Sequence, residues 1–267
     1  MIEIYPALNT IGPVTMENPD SEFLDLGIDW GNNICHWLID VLPVALFALN
    51  YDPSFRSKTV LLKLDALTRF HGRQYLKLLG FTKWKLKENE SNPTMVINPI
   101  CHSSHVHPFI VESLRRLIPE AIATYPMDAR MNLLIQRSLS GCENSESRNF
   151  SNRETIMERF AEVGLPLTMV YLEGLPVLQQ IAMFSQAKII IGAHGAGLVN
   201  IMFCRKDCRF IEVKSPHFWN GSYAEIAGQL GLRHFTPTGI LVNQDPLHPL
   251  YRYGLSVCPE NLLELLK

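Results

Sequence analysis

The chain lacks the short motifs that mark the commonest nucleotide and metal sites. Its 267 residues contain no G-x-x-x-x-G-K-[ST], no G-x-G-x-x-G, no C-x-x-C and no D-x-D. These absences exclude a P-loop and a paired-cysteine zinc site, and they disfavour a dinucleotide-binding oxidoreductase. Without D-x-D, the acidic pair that would clamp Mg²⁺ or Mn²⁺ on a diphosphate is missing, so we predict no metal and no cofactor.

The chain also has a small net charge and no long uninterrupted apolar run. The formal net charge is −2, so no basic field points to a nucleic-acid partner. No apolar run reaches the length of a membrane span and the N-terminus lacks the pattern of a signal peptide. We therefore predict no transmembrane segment, while peripheral membrane contact stays open. The six cysteines are scattered, which is typical of a reduced set, so a cytoplasmic location is expected.

Predicted strands and helices alternate along most of the chain. With 47% hydrophobic residues, the chain can bury one large core or two smaller ones. The alternation predicts an α/β fold with parallel sheets covered by helices on both faces. A break near residues 121–131 separates two series, so we predict one domain over residues 1–125 and a second over 126–267. Packing of the C-terminal helix back on the first domain is left open.

A glycine-rich segment follows an apolar, β-branched run. Residues 188–191 read K-I-I-I and residues 192–197 read G-A-H-G-A-G, ahead of a predicted short helix at 198–203. So few side-chain atoms let the backbone turn tightly and approach a ligand closely. Because helix N-termini at the carboxyl ends of parallel strands attract phosphate, we predict an anion-binding loop here. A tight turn around a packed histidine is the alternative.

A histidine and an aspartate are four residues apart in an apolar stretch. His36 and Asp40 project from one face of the predicted helix, which Pro43 kinks or restarts. On a helix this apolar, both side chains must find partners or line a cavity. An Asp–His pair of this kind can act as a general base, and a mutually satisfied pair that stabilises the helix is the alternative.

Histidines also crowd residues 101–107, which read C-H-S-S-H-V-H. The segment lacks the paired ligand spacing of structural zinc sites, and no second cluster completes a set of four ligands. We expect a loop there, and metal binding by His102–His107 is left open.

Several separated segments resemble glycosyltransferase family 61. They are residues 33–43 (N-x-x-H-W-x-x-D-x-L-P), Arg137 with residues 148–154 (R-N-x-S-N-R-E), residues 184–200 (F-S-x-A-x-I-I-I-G-x-H-G-A-G-L-x-N) and residues 203–212, which end in I-E. The resemblance implies a GT-B type fold, in which two Rossmann-like domains face a cleft and the C-terminal domain holds most of the donor site. It implies inverting transfer of a hexosyl or pentosyl group from a nucleotide-sugar, usually a UDP-sugar. The acceptor would be a hydroxyl of a glycan, polysaccharide or glycolipid. The short chain without an N-terminal anchor suggests a bacterial member.

The predicted donor site is built around the glycine segment. Backbone N–H groups of Gly195, Ala196 and Gly197 are suited to the diphosphate, and the guanidinium groups of Arg137 and Arg148 can add charge and bidentate geometry. These groups would replace a metal clamp on the leaving group. The nucleotide-sugar is a substrate, and no other cofactor is expected.

The remaining predicted site residues have more open roles. His194 is expected to touch the sugar or a phosphate, Asn200 to orient the loop or the ligand, and Glu212 to accept both ribose hydroxyls, with a structural carboxylate as its alternative. Asp40, with His36 as its partner or substitute, is the predicted catalytic base. A non-catalytic nucleotide-sugar or polysaccharide-binding protein of the same fold is the alternative function.

Overall fold

The structure is a computed structural model that describes residues 15–26, 33–63, 70–87, 96–98, 106–127, 130–137, 148–217, 221–242 and 253–267. The chain divides into two compact units, Met1–Arg116 and Leu117–Lys267. The helix Ile118–Thr124 packs against the helix Val177–Ser185 and therefore belongs to unit 2. The division falls before this helix, whereas the sequence placed it after residue 125.

Unit 1 contains two small sheets. Strands β2 (Phe23–Asp25), β3 (Thr59–Leu62) and β4 (Trp84–Leu86) form a parallel sheet in that order, and β1 (Thr15–Glu17) pairs antiparallel with β5 (Val96–Asn98). The predicted β-α-β unit exists, but its second strand is β4. The predicted strand at 94–98 is described from residue 96 and pairs with β1 instead.

The longest helix of the described residues, α1 (Ile34–Tyr51), forms the core of unit 1. It has 18 residues, is 67% buried and is long and apolar enough to cross a membrane. The prediction that no stretch reaches this length was therefore wrong. Buried core helices meet the same criterion, and every residue from 42 to 49 is buried here. Residues Trp37–Val41 of α1 form a π-helical turn.

The helix α2 (Phe70–Leu78) crosses α1 closely. A Cβ atom added to Gly72 would lie 2.9 Å from Cε2 of Trp37, so a glycine is needed where the two helices meet. The helix α3 (Pro108–Arg115) packs against the same long helix, and its Phe109 ring stacks on Phe47 with centroids 5.0 Å apart.

Unit 2 is built on one parallel sheet of five strands. Their spatial order is β10, β9, β8, β6, β7, where β6 is Met131–Gln136, β7 is Leu167–Tyr171, β8 is Ala187–Ala193, β9 is Arg209–Val213 and β10 is Arg233–Phe235. The chain goes from β6 outward to β7, then returns to place β8 on the other side of β6. This reversal creates a topological switch point at the carboxyl ends of β6 and β8, where open α/β sheets bind ligands.

Helices and a small hairpin cover this sheet. They are α4 (Ile118–Thr124), α5 (Arg153–Glu162), α6 (Val177–Ser185), α7 (Ser222–Leu230), α8 (Pro259–Glu264) and the antiparallel pair β11 (Ile240–Val242) and β12 (Gly254–Ser256). The C-terminal helix α8 packs against α5, and Leu262 and Leu266 lie in the core of unit 2. Part of its apolar face is therefore used within unit 2.

Candidate functional site

The glycine loop lies at the carboxyl end of β8, as predicted. The His194 N–H donates to the carbonyl of Val213 at 2.9 Å and so continues the β8–β9 ladder. Residues Ala196–Phe203 then form the predicted short helix, which begins two residues earlier than expected and is a 3₁₀ helix. A Cβ atom on Gly197 would lie 2.8 Å from Cδ1 of Leu172, so the loop packs too closely for a larger residue. The close packing fixes the path of the backbone.

Arg137 lies against this loop from the neighbouring strand. A Cβ atom on Gly195 would lie 3.2 Å from Nη2 of Arg137, so the guanidinium group sits directly beside the loop backbone. The Asn149 side chain holds the backbone of Arg137 on both sides: its Oδ1 accepts from the Arg137 N–H at 2.7 Å, and its Nδ2 donates to the Arg137 carbonyl at 3.1 Å. Arg137 is thereby fixed at the switch point.

The charge of Arg137 is kept in a largely buried environment. Burial, and then the positive charge of Arg148, lower the pKa of Arg137 to about 10. The guanidinium group therefore stays protonated at neutral pH, and the negative charge of Glu173 acts against this lowering. An anion at the loop would add to that compensation.

Arg148 adds a second cation to the same neighbourhood. Its backbone is left-handed with φ 64°, which is uncommon for a residue other than glycine, and its N–H donates to the carbonyl of Tyr253. Its charge lowers the pKa of both Arg137 and His194. The sequence prediction that Arg137 and Arg148 act at one site thus agrees with their electrostatic coupling.

Glu212 binds the side chain of His194. Glu212 has no exposed surface, and its Oε1 accepts from Nδ1 of His194 in a short hydrogen bond. Its Oε2 accepts from Nε2 of His234 at 2.9 Å and lies 3.6 Å from Nζ of Lys214. Because both oxygens are engaged and buried, Glu212 does not accept ribose hydroxyls in this arrangement. These contacts match its structural alternative, in which Glu212 holds two imidazole rings.

The protonation states of this pair follow from its surroundings. Burial alone would raise the pKa of Glu212, but the hydrogen bonds from His194 and His234 outweigh it and lower the pKa to about 2. For His194, burial lowers the pKa below its usual value, and the charges of Arg148 and Lys214 act in the same direction against the attraction of Glu212. At neutral pH Glu212 is therefore a carboxylate and His194 is neutral, with its proton on Nδ1.

Asn200 holds the loop in place. Its Nδ2 donates to the carbonyl of Gly197 and to Oε1 of Gln180, both at 3.0 Å. Gln180 in turn donates to the carbonyls of Leu172 and Leu175 at 3.0 Å. Of the two roles predicted for Asn200, the contacts match the one that orients the loop.

Tyr223 of α7 supports the loop from another side. It is buried, its hydroxyl donates to the carbonyl of Gly195 at 2.7 Å, and its ring centroid lies 5.1 Å from that of His194. The loop is therefore fixed by side chains from separate elements before any ligand binds. Such a preorganised backbone is what an anion site requires.

His36 and Asp40 form the predicted pair in unit 1. Nδ1 of His36 lies 2.6 Å from Oδ2 of Asp40, and their side chains are 26% and 16% exposed. Asp40 belongs to the π-helical turn of α1, and π-helical turns occur often at functional sites. The pair is held locally, one helical turn apart, and keeps access to solvent.

The structure thus brings the predicted donor-site residues together within unit 2. The predicted catalytic pair lies in unit 1 and is described separately. Within unit 2 the loop, the two arginines, Asn200 and Glu212 surround the carboxyl ends of β6, β8 and β9, while His36 and Asp40 lie in unit 1. The segment 101–105 of the histidine cluster lies outside the described residues. His107 is described, and its Nδ1 accepts from the N–H of Phe109 at the start of α3.

Sequence reasoning missed three residues of this site. They are His234, Gln180 and Asn149. One signal for His234 was present, because the β-α-β rule places β10 beside β9 and so brings its histidine near Glu212. The other two act through contacts between distant segments that no local spacing reveals.

A parallel sheet with a glycine loop and an arginine at its switch point is typical of α/β proteins that bind phosphorylated ligands. The chain belongs to glycosyltransferase family 61, since the family model described as Glycosyltransferase 61 matches residues 34–211. The match includes the His36–Asp40 pair, Arg137 and the glycine loop, and it ends one residue before Glu212. A comparison with curated proteins finds no match. Family membership supports glycosyltransferase activity in general, with a sugar donor and an acceptor as partners.

Proposed function

We propose that the protein is an inverting, metal-independent glycosyltransferase that moves a sugar from a UDP-sugar to a hydroxyl of a glycan, polysaccharide or glycolipid. The observation that carries the proposal is the position of the glycine loop and Arg137 at the switch point of β6 and β8. The proposal includes a GT-B type fold with two Rossmann-like domains facing a cleft, a bacterial origin and a cytoplasmic location.

The leaving diphosphate is met by fixed protein groups in this proposal. Backbone N–H groups of Gly195, Ala196 and Gly197 donate to phosphate oxygens, while Arg137 and Arg148 supply positive charge. The largely buried charge of Arg137 and its repulsion by Arg148 support this role, because a bound anion would stabilise both cations. The absence of D-x-D from the sequence is the reason for proposing that these groups act without a metal clamp.

Transfer is proposed to occur in one displacement. The acceptor oxygen forms a bond to the anomeric carbon as the bond from that carbon to the diphosphate oxygen breaks, and its electron pair leaves with UDP. The acceptor proton passes to the Asp40–His36 pair, whose carboxylate and imidazole are 2.6 Å apart. Attack opposite to the leaving group inverts the anomeric configuration.

A turnover assay tests this function against the alternative of a non-catalytic binding protein. The protein is incubated in EDTA with a panel of UDP-hexoses and UDP-pentoses, with and without simple glycoside acceptors, and released UDP is quantified. We expect UDP release from at least one donor, a product of inverted configuration by NMR, and loss of release in Asp40→Asn. UDP-sugar binding without release from any donor would instead support the binding protein.

A further inference from the structure

In unit 2 one carboxylate, that of Glu212, is contacted by two imidazole donors and by an ammonium group. Glu212 accepts from His194 and His234 on its two oxygens and has Lys214 Nζ at 3.6 Å from Oε2. All of these contacts are buried, because Glu212 itself has no exposed surface. The proposed function above uses none of these side chains, so the cluster has no assigned role.

The shared carboxylate fixes which nitrogen of His194 can change its protonation. A carboxylate only accepts hydrogen bonds, so Nδ1 of His194 carries a hydrogen at all times. Proton gain or loss therefore occurs at Nε2, on the other side of the ring. In the same way, Nε2 of His234 carries the hydrogen that binds Glu212.

Charged and titratable groups from several elements surround the His194–Glu212 pair. They are Glu212 of β9, Lys214 just after β9, His234 of β10, Tyr223 of α7, Arg148 before α5, and Arg137, which lies beside the neighbouring Gly195. In the free protein, burial and the cations Arg148 and Lys214 outweigh the attraction of Glu212, so the pKa of His194 is lowered and the ring is neutral at pH 7. A bound anion would neutralise the cations that contribute to this lowering.

We propose that His194 takes up one proton at Nε2 when the donor diphosphate binds, and that Glu212, oriented by His234, holds the resulting imidazolium against the leaving group. The inference rests on the proposed function, since it requires a diphosphate at the glycine loop. His194 is then the group that contacts the ligand, and Glu212 and His234 are positioning residues.

The physical reason is a reversal of the local charge balance. A diphosphate brings negative charge to a ring on which the charges of Arg148 and Lys214 act in the free protein, and it offsets their repulsion of a further proton. The proton comes from solvent and returns to solvent when UDP leaves, so only an N–H bond forms and breaks. An imidazolium at this point supplies the leaving group with a charge-assisted donor, a role that a divalent metal fills in other enzymes.

Calorimetry in buffers of different ionisation enthalpy measures the proton directly. UDP is titrated into the wild-type protein in EDTA at pH 7.5, in PIPES and in Tris, and the difference in apparent enthalpy gives the number of protons bound. We expect uptake of about half to one proton, and an affinity that falls by up to about tenfold between pH 7.5 and 8.5, the limit for one linked proton. This measurement needs no variant and so does not depend on the folding of one.

Two variants assign the proton to the cluster. His194→Asn keeps an N–H near the position of Nδ1 for Glu212 but cannot titrate, so uptake should fall to zero. His234→Leu removes the second donor to Glu212 and should lower UDP affinity about tenfold, while His234→Gln restores an N–H near Nε2 and should recover most of it. Lys188→Gln, an exposed cation at the amino-terminal part of β8, is the control and should retain full proton uptake.

The outcomes separate this inference from the proposed function. UDP binding with no proton uptake by the wild-type protein overturns the inference and leaves the donor site standing. Uptake that persists in His194→Asn overturns the assignment to His194. Absence of UDP binding overturns both.

Discussion

The two carboxylate–histidine pairs of this protein are alike in chemistry and opposite in setting. Glu212 and His194 come from adjacent strands of unit 2, and the carboxylate is fully buried and shared with His234. Asp40 and His36 lie one turn apart on α1, and both remain partly exposed. A buried, shared carboxylate is costly to leave unpaired, whereas a solvated local pair can exchange protons with little effect on folding.

This difference indicates a division of roles. Glu212 is suited to hold a ring at a fixed position, because its pKa of about 2 keeps it charged at every physiological pH. The Asp40–His36 pair has the solvent access that a proton acceptor needs. The predictions below test this division, beginning with the largest expected effect.

Removing each carboxylate should have very different effects on stability. Glu212→Ala leaves two imidazoles and an ammonium group without their partner in a buried site, and we expect the free energy of unfolding to fall by about 3–5 kcal/mol. Asp40→Ala removes a partly exposed pair, and a loss of about 1 kcal/mol or less is expected. Urea denaturation followed by circular dichroism measures the free energy of unfolding of both variants. Equal losses would contradict the difference in setting between the two carboxylate–histidine pairs.

Catalysis should show the reverse order. Asp40→Asn preserves the shape of the pair but removes its basicity, so kcat should fall by at least about a hundredfold while UDP affinity stays unchanged. The matched control is Asp52→Asn, which alters an exposed cap of the 3₁₀ helix Pro53–Ser57 and should keep wild-type kcat. A full kcat in Asp40→Asn would remove the pair from the mechanism.

The acid dependence of stability should be traced to Glu212. Its folded pKa, about 2, lies below the ordinary value of 4.5, so it contributes stability above pH 4.5 that is lost as the pH falls toward 2. The linked contribution is on the order of 3 kcal/mol. In urea denaturation from pH 5 to 2.5, Glu212→Gln should flatten this dependence, and Glu154→Gln, which removes a largely exposed carboxylate, should leave it unchanged.

A single methyl group in the loop should affect binding more than folding. In Gly195→Ala the new Cβ would lie 3.2 Å from Nη2 of Arg137, so the guanidinium group must shift by a few tenths of an ångström. We expect UDP affinity to fall by about tenfold, or 1.4 kcal/mol, with a much smaller change in stability. Gly228→Ala adds a methyl group at an exposed position of α7, where no heavy atom lies within 4 Å of the new Cβ. The UDP affinity of this variant should equal that of the wild-type protein.

The sequence was sufficient for the local parts of this arrangement. The spacing of His36 and Asp40 predicted their contact, and the run from residue 188 to 197 predicted a strand that ends in a glycine loop. Both inferences need only the periodicity of one element. The 3₁₀ geometry of Ala196–Phe203 was not predicted, because an apolar run does not distinguish it from an α-helix.

The contacts that complete the site depend on topology. Asn149 reaches the backbone of Arg137, Gln180 reaches Asn200, and His234 reaches Glu212 only after the strands have taken their order in the sheet. The two roles predicted for Glu212 could not be separated for the same reason. A carboxylate in an apolar strand is equally compatible with a ligand contact and with buried partners, and its partners lie 18 and 22 residues away.

Calorimetric titration of UDP into the wild-type protein and Arg137→Met, first in EDTA and then with Mn²⁺ in place of EDTA, tests the central claim most directly. The account predicts metal-independent binding by the wild-type protein and at least about a tenfold loss of affinity in Arg137→Met, because a charge-assisted contact to phosphate is removed. Equal affinity in the two proteins, or UDP binding that appears only after Mn²⁺ is added, would contradict a donor site at the glycine loop.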